Sequence, residues 1–421
     1  MQSVHDMERL LEERGLFHVD LSLTRMEKAL KKLGLTRPPF YVVQVLGTNG
    51  KGSTSTFLAS LCSAHGLVTG LYTSPHFLSF RERIQIHGQD VSDEALLSAF
   101  ERVLAVEEDC TYFELLTLTA LELFRAARVE VAVLEAGLGG AHDATTAVER
   151  DLACYTPIAL DHTQVLGPTL TDIAKDKSLA ISEGLPVLSA RQYPAAEAVL
   201  LSACQRCHTV CTFARSFPEA FSDALSLQGS HQKENAALAL AALALLLPLL
   251  GKKQSRASLQ KGLHEAFLPG RLQLVQAEGM PPLLLDGAHN PHGMQTMLKA
   301  LAAGPLRPKA LVYACLADKD WPSVARILMP EVRGLPVFFP TLSNDRALPA
   351  EELFAYVRRT CTASAPVLLG TNVACVLNAL GHMPVFAPHE VVLVTGSLYL
   401  LSEVYQRYPD FLHGAKAARV P

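Results

Sequence analysis

The sequence has neither a strong excess of one charge nor a long uninterrupted apolar segment. Its 421 residues include 37 Lys and Arg against 41 Asp and Glu, a formal net charge of -4, so no general basic field indicates a nucleic-acid partner. The longest apolar run, 236–250, is too short for a comfortable membrane span and contains Pro248. We therefore interpret this run as a buried helix, and we expect no nucleic-acid partner and no membrane partner.

No secretion signal is recognised, because the first residues are partly charged and lack an apolar core. The nine cysteines are odd in number and lie mostly in apolar patterns, which indicates reduced thiols. Both observations favour a cytoplasmic protein. The hydrophobic fraction of 49% is typical of a globular enzyme, and the length allows two domains with a large core.

One group of metal-binding residue types is clustered in sequence: Cys204, Cys207, His208 and Cys211. Its first part matches the haem-attachment pattern, and three thiolates with an imidazole could hold zinc. Haem attachment requires export, which the N-terminal segment does not support, and zinc sites normally present two separated ligand pairs. We therefore interpret the cluster as a chance arrangement.

The chain is organised around the stretch 47–53, GTNGKGS, which lies between a strand-like run at 40–46 and a helical pattern. Glycines let backbone N–H groups turn toward phosphate oxygens, and the helix N-terminus adds a partial positive charge. In such a loop Lys51 reaches the β- and γ-phosphates, and the Ser53 hydroxyl faces Mg²⁺. These features predict a nucleotide site.

The stretch departs from the strict Walker pattern at two positions. Val45 stands where the first glycine belongs, and Gly52 separates Lys51 from Ser53. An ordinary strand-to-helix turn is the alternative interpretation, but the flanking strand and helix favour phosphate binding.

Two predicted strands end in polar residues, at the edge where open α/β sheets usually bind ligands. The strand 67–72 is followed by Ser74 and His76, although a Ser-Pro turn is the simpler interpretation of that segment alone. The strand 129–134 runs into Glu135 and a glycine loop. Because a buried carboxylate there needs a cation, the sequence predicts Glu135 as an Mg²⁺ ligand.

A third strand-like run, 152–160, ends just before His162. A hydrogen-bonded structural histidine is the alternative for a single imidazole, but the polar residues at the other two strand ends favour a ligand. The helix predicted at 170–181 carries a run of charges around Lys177, which we interpret by default as a solvated face.

The segment Thr111 to Glu114 opens another predicted helix and matches a capping box. Capping and ligand binding are both open for Glu114. Further along, Leu-Pro-Gly-Arg at 268–271 is the strongest boundary signal, since it separates a helical stretch from a new strand. Strands after it alternate with helices and predict a second parallel sheet, so we expect domains at 1–268 and 269–421.

Taken together, these motifs resemble the folylpolyglutamate synthase/dihydrofolate synthase family of the Mur ligase superfamily, from about residue 20 to about residue 403. The motifs that carry the resemblance are GTNGKGS, TSPHF, RERIQIHG, YFELLT, LEAGLGGAHDATT, ALDHTQVLG, IAKDKS, PGR, LDGAHNP, ADKDW and VTGSLYLLSEV. The resemblance implies an α/β fold with an N-terminal P-loop-type ATPase domain on a parallel sheet. It also implies a smaller C-terminal Rossmann-like α/β domain.

The resemblance implies ATP and Mg²⁺ as cofactors and assigns roles to residues in the matching motifs. The implied nucleotide contacts are Asn49, Gly50, Lys51, Gly52, Ser53, Asn235, Arg271 and Asp286. The implied metal ligands are Ser74, Glu135 and His162. The implied pterin-pocket residues are Thr111, Tyr112, Phe113, Glu114, His142, Asp143 and Ala144. The implied catalytic residues are Lys51, a carbamylated Lys177, and His289, for which a structural turn histidine is the alternative.

The implied reaction is an ATP-dependent ligation. The carboxylate of dihydropteroate or of a folate is phosphorylated to an acyl phosphate, which the amine of L-glutamate then attacks, and ADP and phosphate are released. The resemblance also suggests a monomer. It does not decide between first addition of glutamate, tail extension, or both.

The sequence departs from the family pattern mainly in the pterin loop, at Ala141, His142 and Thr146, and also at Leu179 after the implied modified lysine. Ligase chemistry is therefore better supported than the substrate. A ligase for a non-folate carboxylate is one alternative. A non-catalytic nucleotide-binding regulator is another, but it would be expected to lack Glu135 or Lys51.

Overall fold

The computed structural model describes residues 3–14, 22–107, 109–360, 367–384 and 386–413. The chain divides into two compact units. Unit 1 contains Met1–Ser226 and Lys233–Ala266, and unit 2 contains Leu227–Gln232 and Phe267–Pro421. Both units are α/β bodies, each built on one sheet.

The strands of unit 1 are β1 (Tyr41–Leu46), β2 (Thr69–Tyr72), β3 (Ile84–Ile86), β4 (Gln89–Asp90), β5 (Val131–Glu135), β6 (Leu152–Tyr155), β7 (Val187–Ser189) and β8 (Cys211–Phe213). They form one sheet in the order β4-β3-β2-β5-β1-β6-β7-β8. The strands from β2 to β8 in this order are parallel, whereas β3 and β4 add an antiparallel edge. The central strands β1 and β5 therefore direct their carboxyl ends to the same edge.

The helices of unit 1 are α1 (Val4–Glu13), α2 (Thr24–Leu33), α3 (Lys51–Ala64), α4 (Asp93–Leu104), α5 (Tyr112–Ala126), α6 (Thr163–Leu166), α7 (Leu170–Ser178), α8 (Pro194–Arg206), α9 (Ser230–Leu249) and α10 (Arg256–Glu265). The first turn of α9, up to Gln232, is grouped with unit 2. Short 3₁₀ helices occupy Phe80–Arg83, Ala144–Ala147 and Glu219–Ala224.

The strands of unit 2 are β9 (Gln273–Val275), β10 (Leu283–Asp286), β11 (Arg307–Tyr313), β12 (Val337–Thr341), β13 (Val367–Asn372) and β14 (Glu390–Thr395). Their order in the sheet is β13-β12-β11-β14-β10-β9, and all pairs are parallel except β9 with β10. The helices are α11 (Pro291–Ala303), α12 (Trp321–Glu331), α13 (Ala350–Thr360), α14 (Val373–Leu380) and α15 (Leu398–Arg407), followed by a 3₁₀ helix at Pro409–His413.

The predicted α/β class is confirmed, and the sequence explains why these elements form. All five residues of β5 are buried, as expected for a parallel strand covered by helices on both faces. The α5 helix begins with the predicted capping box, in which Thr111 and Glu114 each accept a backbone N–H bond from the other. The α2 helix ends at Gly34, whose φ of 66° is a left-handed C-cap.

Two predictions about the elements need correction. The run 152–160 is a strand only up to Tyr155, because Pro157 has no N–H for the ladder and its carbonyl oxygen accepts bonds from the phosphate loop instead. The second sheet is mixed, because the link between β9 and β10 is too short for a parallel crossover. Ahead of β1, the described residues form α1 and α2, and residues 15–21 lie outside the described residues.

The apolar run 236–250 forms most of α9, as predicted. The helix is buried over much of its length, but Leu245 is 46% exposed and Leu249 is 60% exposed. The expectation of a buried helix is therefore correct except at exposed positions of its last turns. Among the described residues, no helix is both long and apolar enough to cross a membrane.

Candidate functional site

The loop between β1 and α3 is tied to the segment that follows β6. The N–H groups of Thr48 and Asn49 donate to Pro157 O at 3.0 and 3.3 Å. The Thr48 hydroxyl donates to Ala159 O at 3.1 Å and accepts from Ala159 N at 3.0 Å. The loop is therefore fixed before any ligand binds, as a phosphate cradle requires.

Two glycines make this loop geometry possible. Gly47 has φ of 133°, and a Cβ there would lie 2.0 Å from Thr156 Oγ1. Gly50 has φ of 92°, and a Cβ there would lie 2.3 Å from Asn235 Oδ1. The second contact brings the α9 residue Asn235 against the phosphate loop, as its predicted role as a nucleotide contact requires.

The α3 helix begins at Lys51, directly after this loop, so its free N–H groups point into the loop. Lys51 Nζ donates to Thr48 O at 3.2 Å, which folds the side chain back over the loop. Ser53 is buried and is the third residue of the helix. Among the described residues, the buried hydroxyls of Thr54 and Ser55 have no hydrogen-bond partner. These groups suit the phosphates of a nucleotide and a cation bound to them.

The predicted metal ligands Ser74 and Glu135 are brought together by adjacent strands, because β2 and β5 are paired neighbours. Glu135 ends β5 and is 5% exposed, and its Oε2 accepts from Ser74 N at 3.0 Å. A carboxylate and a hydroxyl beside a phosphate loop are oxygen donors that suit Mg²⁺. The chemistry of the donor set therefore fits the implied ion.

His162 is placed differently from these two residues. It follows β6, which pairs with β1 on the side opposite to β5. Its side chain is exposed, and its backbone has a positive φ of 51°. Its Nε2 lies 3.9 Å from Asp161 Oδ1. The part of the chain that the structure describes contains no set of three or more His, Cys, Asp or Glu side chains arranged to hold a metal, at the cysteine cluster or elsewhere.

Lys177 is buried in α7, at 4% exposure. Burial, and then the positive charge of Lys51, lower its pKa to about 7. Its backbone carbonyl accepts from the hydroxyl of Tyr155 at 2.9 Å. The interpretation of this run as a solvated face is therefore wrong for Lys177, although it is correct for the exposed Lys175.

The glycine loop after Glu135 is held by Asp143, which is buried. Its Oδ2 accepts from the N–H groups of Gly137 and Leu138 at 2.7 and 2.9 Å, and its Oδ1 accepts from Thr145 N at 3.0 Å. Burial raises the pKa of this carboxyl group, and the hydrogen bonds partly offset that rise. In this structure, both Asp143 oxygens are thus occupied by the loop itself.

The predicted pterin-pocket residues meet at this loop. A Cβ at Gly137 would lie 2.7 Å from the ring of Phe113, so the start of α5 packs directly on the loop. Glu114 is buried, caps α5 and pairs with Arg25 at 3.3 Å. Its capping role is confirmed, and a ligand role stays a prediction. His142 is exposed and Ala144 is buried in the same loop.

Arg83 is a neighbour of this pocket that the sequence reasoning did not single out. It is buried, its Nε donates to His76 Nδ1 at 2.8 Å, and its guanidinium lies 5.2 Å from the ring centroid of Tyr112. Burial and then the charge of Arg83 lower the pKa of His76 to about 3, so this imidazole is neutral. The RERIQIHG motif was the available signal for Arg83.

Unit 2 contains the remaining predicted site residues, at the end of β10. Asp286 is buried and accepts from Leu272 N at 3.0 Å and from Ala288 N at 2.9 Å. Burial raises the pKa of its carboxyl group, whereas the charge of Arg271 opposes that rise. His289 Nδ1 lies 2.9 Å from Gly287 O, which is the contact of a turn histidine.

Comparison with known proteins gives a consistent result. Residues 270–398 match the family model described as Mur ligase, glutamate ligase domain. The dihydrofolate synthase/folylpolyglutamate synthase of Bacillus subtilis is 30% identical, over 96% of this chain and 98% of its own length. E. coli FolC in complex with DHPP and ADP has a TM-score of 0.85 at 29% identity, covering 97% of this chain and 98% of that chain. The bifunctional folylpolyglutamate synthase/dihydrofolate synthase of Yersinia pestis, complexed with AMPPNP and Mn ion, has a TM-score of 0.81 at 28% identity, covering 97% and 98%.

Proposed function

The chain belongs to the folylpolyglutamate synthase/dihydrofolate synthase family, and from that premise we propose that it joins L-glutamate to the carboxylate of dihydropteroate, of a folate polyglutamate, or of both. It is an ATP-dependent carboxylate–amine ligase. The observation that carries the proposal for this chain is the position of the phosphate loop and of Glu135 at the ends of the adjacent strands β1 and β5. Residues 1–268 then form the ATP-binding domain, and residues 269–421 form the C-terminal Rossmann-like domain.

The first step is transfer of the γ-phosphoryl group of ATP to the acceptor carboxylate. A carboxylate oxygen forms the new bond to phosphorus, the bond to the ADP oxygen breaks, and an acyl phosphate results. Lys51 and the N–H groups at the start of α3 stabilise the charge on the phosphoryl oxygens. Ser74, Glu135 and His162 are assigned to Mg²⁺, which would neutralise further phosphate charge when bound.

In the second step the amine of L-glutamate attacks the acyl carbon, the amine loses a proton, and phosphate leaves. His289 is assigned to assist glutamate or phosphate, and its bond to Gly287 O is the basis of the alternative structural role. Arg271 and Asp286 of unit 2, with Asn49, Gly52 and the rest of the phosphate loop, are assigned to the nucleotide. Most of the rate enhancement then comes from positioning and from charge stabilisation.

A carbamate on Lys177 fits the environment of this side chain. A neutral buried amine can add to carbon dioxide, with loss of one proton, and the product is an anion beside the positive charge of Lys51. Carbamylation thereby replaces a repulsive lysine pair by an attractive pair and provides oxygen atoms that suit a divalent cation.

The test is phosphate release from ATP in the presence of Mg²⁺ and L-glutamate, with dihydropteroate and tetrahydrofolate supplied separately. Phosphate release that requires both glutamate and an acceptor supports the proposal. Release with both acceptors indicates a bifunctional enzyme, and release with only one identifies the single activity. Binding of ATP without release for either acceptor would contradict it. That outcome would favour a ligase for a different carboxylate, in keeping with the departures at His142 and Thr146.

A further inference from the structure

Gln44 is a polar residue in the middle of the otherwise apolar central strand β1, and it is fully buried. Its Nε2 donates to the hydroxyl oxygens of Thr145 and Thr146 at 2.7 and 2.8 Å. Its Oε1 accepts from Arg150 Nη1 at 2.8 Å. A buried amide is costly unless its donors and acceptor are used, and here both N–H groups and the oxygen have partners.

The two threonines connect this amide to the glycine loop. Thr146 Oγ1 donates to Gly140 O at 2.7 Å, and Thr145 Oγ1 donates to Asp143 Oδ1 at 2.5 Å. Asp143 in turn accepts the two N–H groups of 137–138. Gln44 on β1 therefore holds the loop that follows Glu135 and carries the predicted pterin-pocket residues.

Arg150 extends the same network to the helix that carries Lys177. Its Nη1 donates both to Gln44 Oε1 and to Ala180 O, each at 2.8 Å, and Ala180 follows the end of α7. The loop and this helix are also in direct contact, since a Cβ at Gly140 would lie 2.6 Å from Lys177 Cα. Nη1 of Arg150 thus links β1, through Gln44, to the end of α7, through Ala180.

We propose that Gln44 and Arg150 are positioning residues for the acceptor substrate, because they fix the loop 137–146 relative to Lys177. The inference rests on the proposed function, since it assumes that this loop contacts the acceptor. A hydrogen bond from a charged donor in a buried site is stronger than a neutral one, so Arg150 stiffens the whole network. Displacement of a binding loop by about 1 Å is enough to cost about 10²-fold in rate.

Disruption of this network should weaken binding of the nucleotide much less than binding of the acceptor. The phosphate loop is tied to the segment after β6 through Thr48, Asn49, Pro157 and Ala159, and none of these bonds passes through Gln44 or Arg150. The network therefore predicts a separation between acceptor and ATP kinetics, which general loss of stability would not produce.

The experiment compares Arg150→Met with Arg150→Lys. Because a single nitrogen of Arg150 makes both bonds, one lysine ammonium can replace it, whereas methionine cannot. We expect Arg150→Met to raise KM for the acceptor by about tenfold or more, as loss of a buried charged hydrogen bond implies, with KM for ATP within about twofold of the wild type. Arg150→Lys should restore most of the difference.

A second pair protects the test if Arg150→Met does not fold. Thr146→Val removes only the hydroxyl that joins Gln44 to Gly140, and Thr146→Ser keeps it. The valine variant should reproduce the rise in acceptor KM, and the serine variant should not. Equal acceptor KM in the wild type, Arg150→Met and Thr146→Val would overturn the inference, as would a parallel rise in KM for ATP.

A measurement without substrates separates this inference from the proposed function. The amide hydrogens of Gly137 and Leu138 should exchange faster in Arg150→Met than in the wild type, and Arg150→Lys should restore their protection. A wild-type protein that releases no phosphate with either dihydropteroate or tetrahydrofolate would contradict the proposed function alone. Unchanged exchange at these two amides would contradict the positioning role, whatever the acceptor.

Discussion

Lys177 is a buried lysine of unit 1 that interacts with the positive charge of Lys51. Lys177 is fully enclosed, and burial together with the neighbouring ammonium group lowers its pKa to about 7. An ammonium group in this position is destabilising unless it is neutralised or modified. The protonation state of Lys177 therefore changes with pH in the neutral range, where ordinary lysines stay protonated.

We expect carbamylation of Lys177 to become faster as the pH rises through about 7. Only the neutral amine reacts with carbon dioxide, and a pKa of about 7 gives a roughly tenfold larger neutral fraction at about pH 8 than at about pH 6. When the concentration of dissolved carbon dioxide is held equal at both pH values, enzyme depleted of carbon dioxide should therefore regain phosphate release faster at the higher pH. The control is Lys177→Arg, which cannot form the carbamate and should stay inactive. A pH-independent recovery, or an active arginine variant, would contradict the assignment.

Glu135 provides a second prediction for a single residue, with a control at the other end of the same strand. Glu135→Gln keeps an oxygen for the Ser74 N–H bond but removes the charge offered to Mg²⁺. Phosphate release should fall by about 10²-fold or more, the usual size for loss of a charge-stabilising group. Glu130→Gln, which keeps an acceptor for Val68 N at the start of the strand, should be close to wild type. Similar activities of the two variants, measured over a range of Mg²⁺ concentrations, would exclude Glu135 as a metal ligand.

At the scale of elements, the local sequence pattern is sufficient to predict an element whose structure depends only on its own segment. The phosphate loop between β1 and α3, the capping box of α5 and the buried strand that ends at Glu135 were all predicted from short stretches. The strand 152–160 was predicted too long, because its end is set by bonds from the distant residues Thr48 and Asn49 to Pro157 O. Sequence periodicity does not contain that information.

The same limit applies to the candidate site. Residues at strand ends could be found because parallel strands bring their carboxyl ends to one edge. Arg83 and Arg150 could not be assigned in this way, because each acts through a partner that is distant or on another element. Gln44 and Arg150 are 106 residues apart. A buried glutamine within an apolar strand was the one local signal for this network.

The phosphate loop as an element yields a prediction with a matched glycine control. Gly50 and Gly66 both have positive φ, of 92° and 74°, so an alanine costs about 1–2 kcal/mol of stability at either position. Only at Gly50 does the added Cβ also meet a side chain, that of Asn235, whereas nothing lies within 4 Å at Gly66. Gly50→Ala should therefore abolish ATP binding and Gly66→Ala should retain it, by equilibrium titration. Equal affinities would contradict the assigned contact of Asn235.

At the scale of the whole molecule, the described part of each unit contains a half-buried histidine with a strongly lowered pKa. In unit 1, burial and then the charge of Arg83 lower the pKa of His76 to about 3. In unit 2, burial and then the charges of Arg271 and His292 lower the pKa of His231 to about 4. Each unit also contains a buried carboxyl group with a raised pKa, Asp143 or Asp286, so the two units share a common response to acid.

The histidines predict the direction of that response. Between the ordinary histidine pKa of 6.5 and the lowered values, the unfolded chain binds more protons than the folded one. The stability contribution of both residues is therefore complete above about pH 6.5 and declines as the pH falls toward about 4. The buried carboxyl groups act in the opposite direction, since a raised folded pKa costs stability above the unfolded value. The wild type and the histidine variants share these carboxyl groups, so the difference in stability between them at each pH excludes the carboxyl contribution.

We expect the thermal unfolding midpoint of the wild type to fall more steeply on acidification than that of His76→Gln or His231→Gln. The glutamine at 76 can accept the Arg83 Nε bond through its carbonyl oxygen and does not titrate. Each single variant should remove part of the pH dependence, and the double variant should remove more, because the two histidines lie in different units. If the slope between about pH 6.5 and about pH 4.5 is the same in the wild type and the double variant, these histidines do not control acid stability.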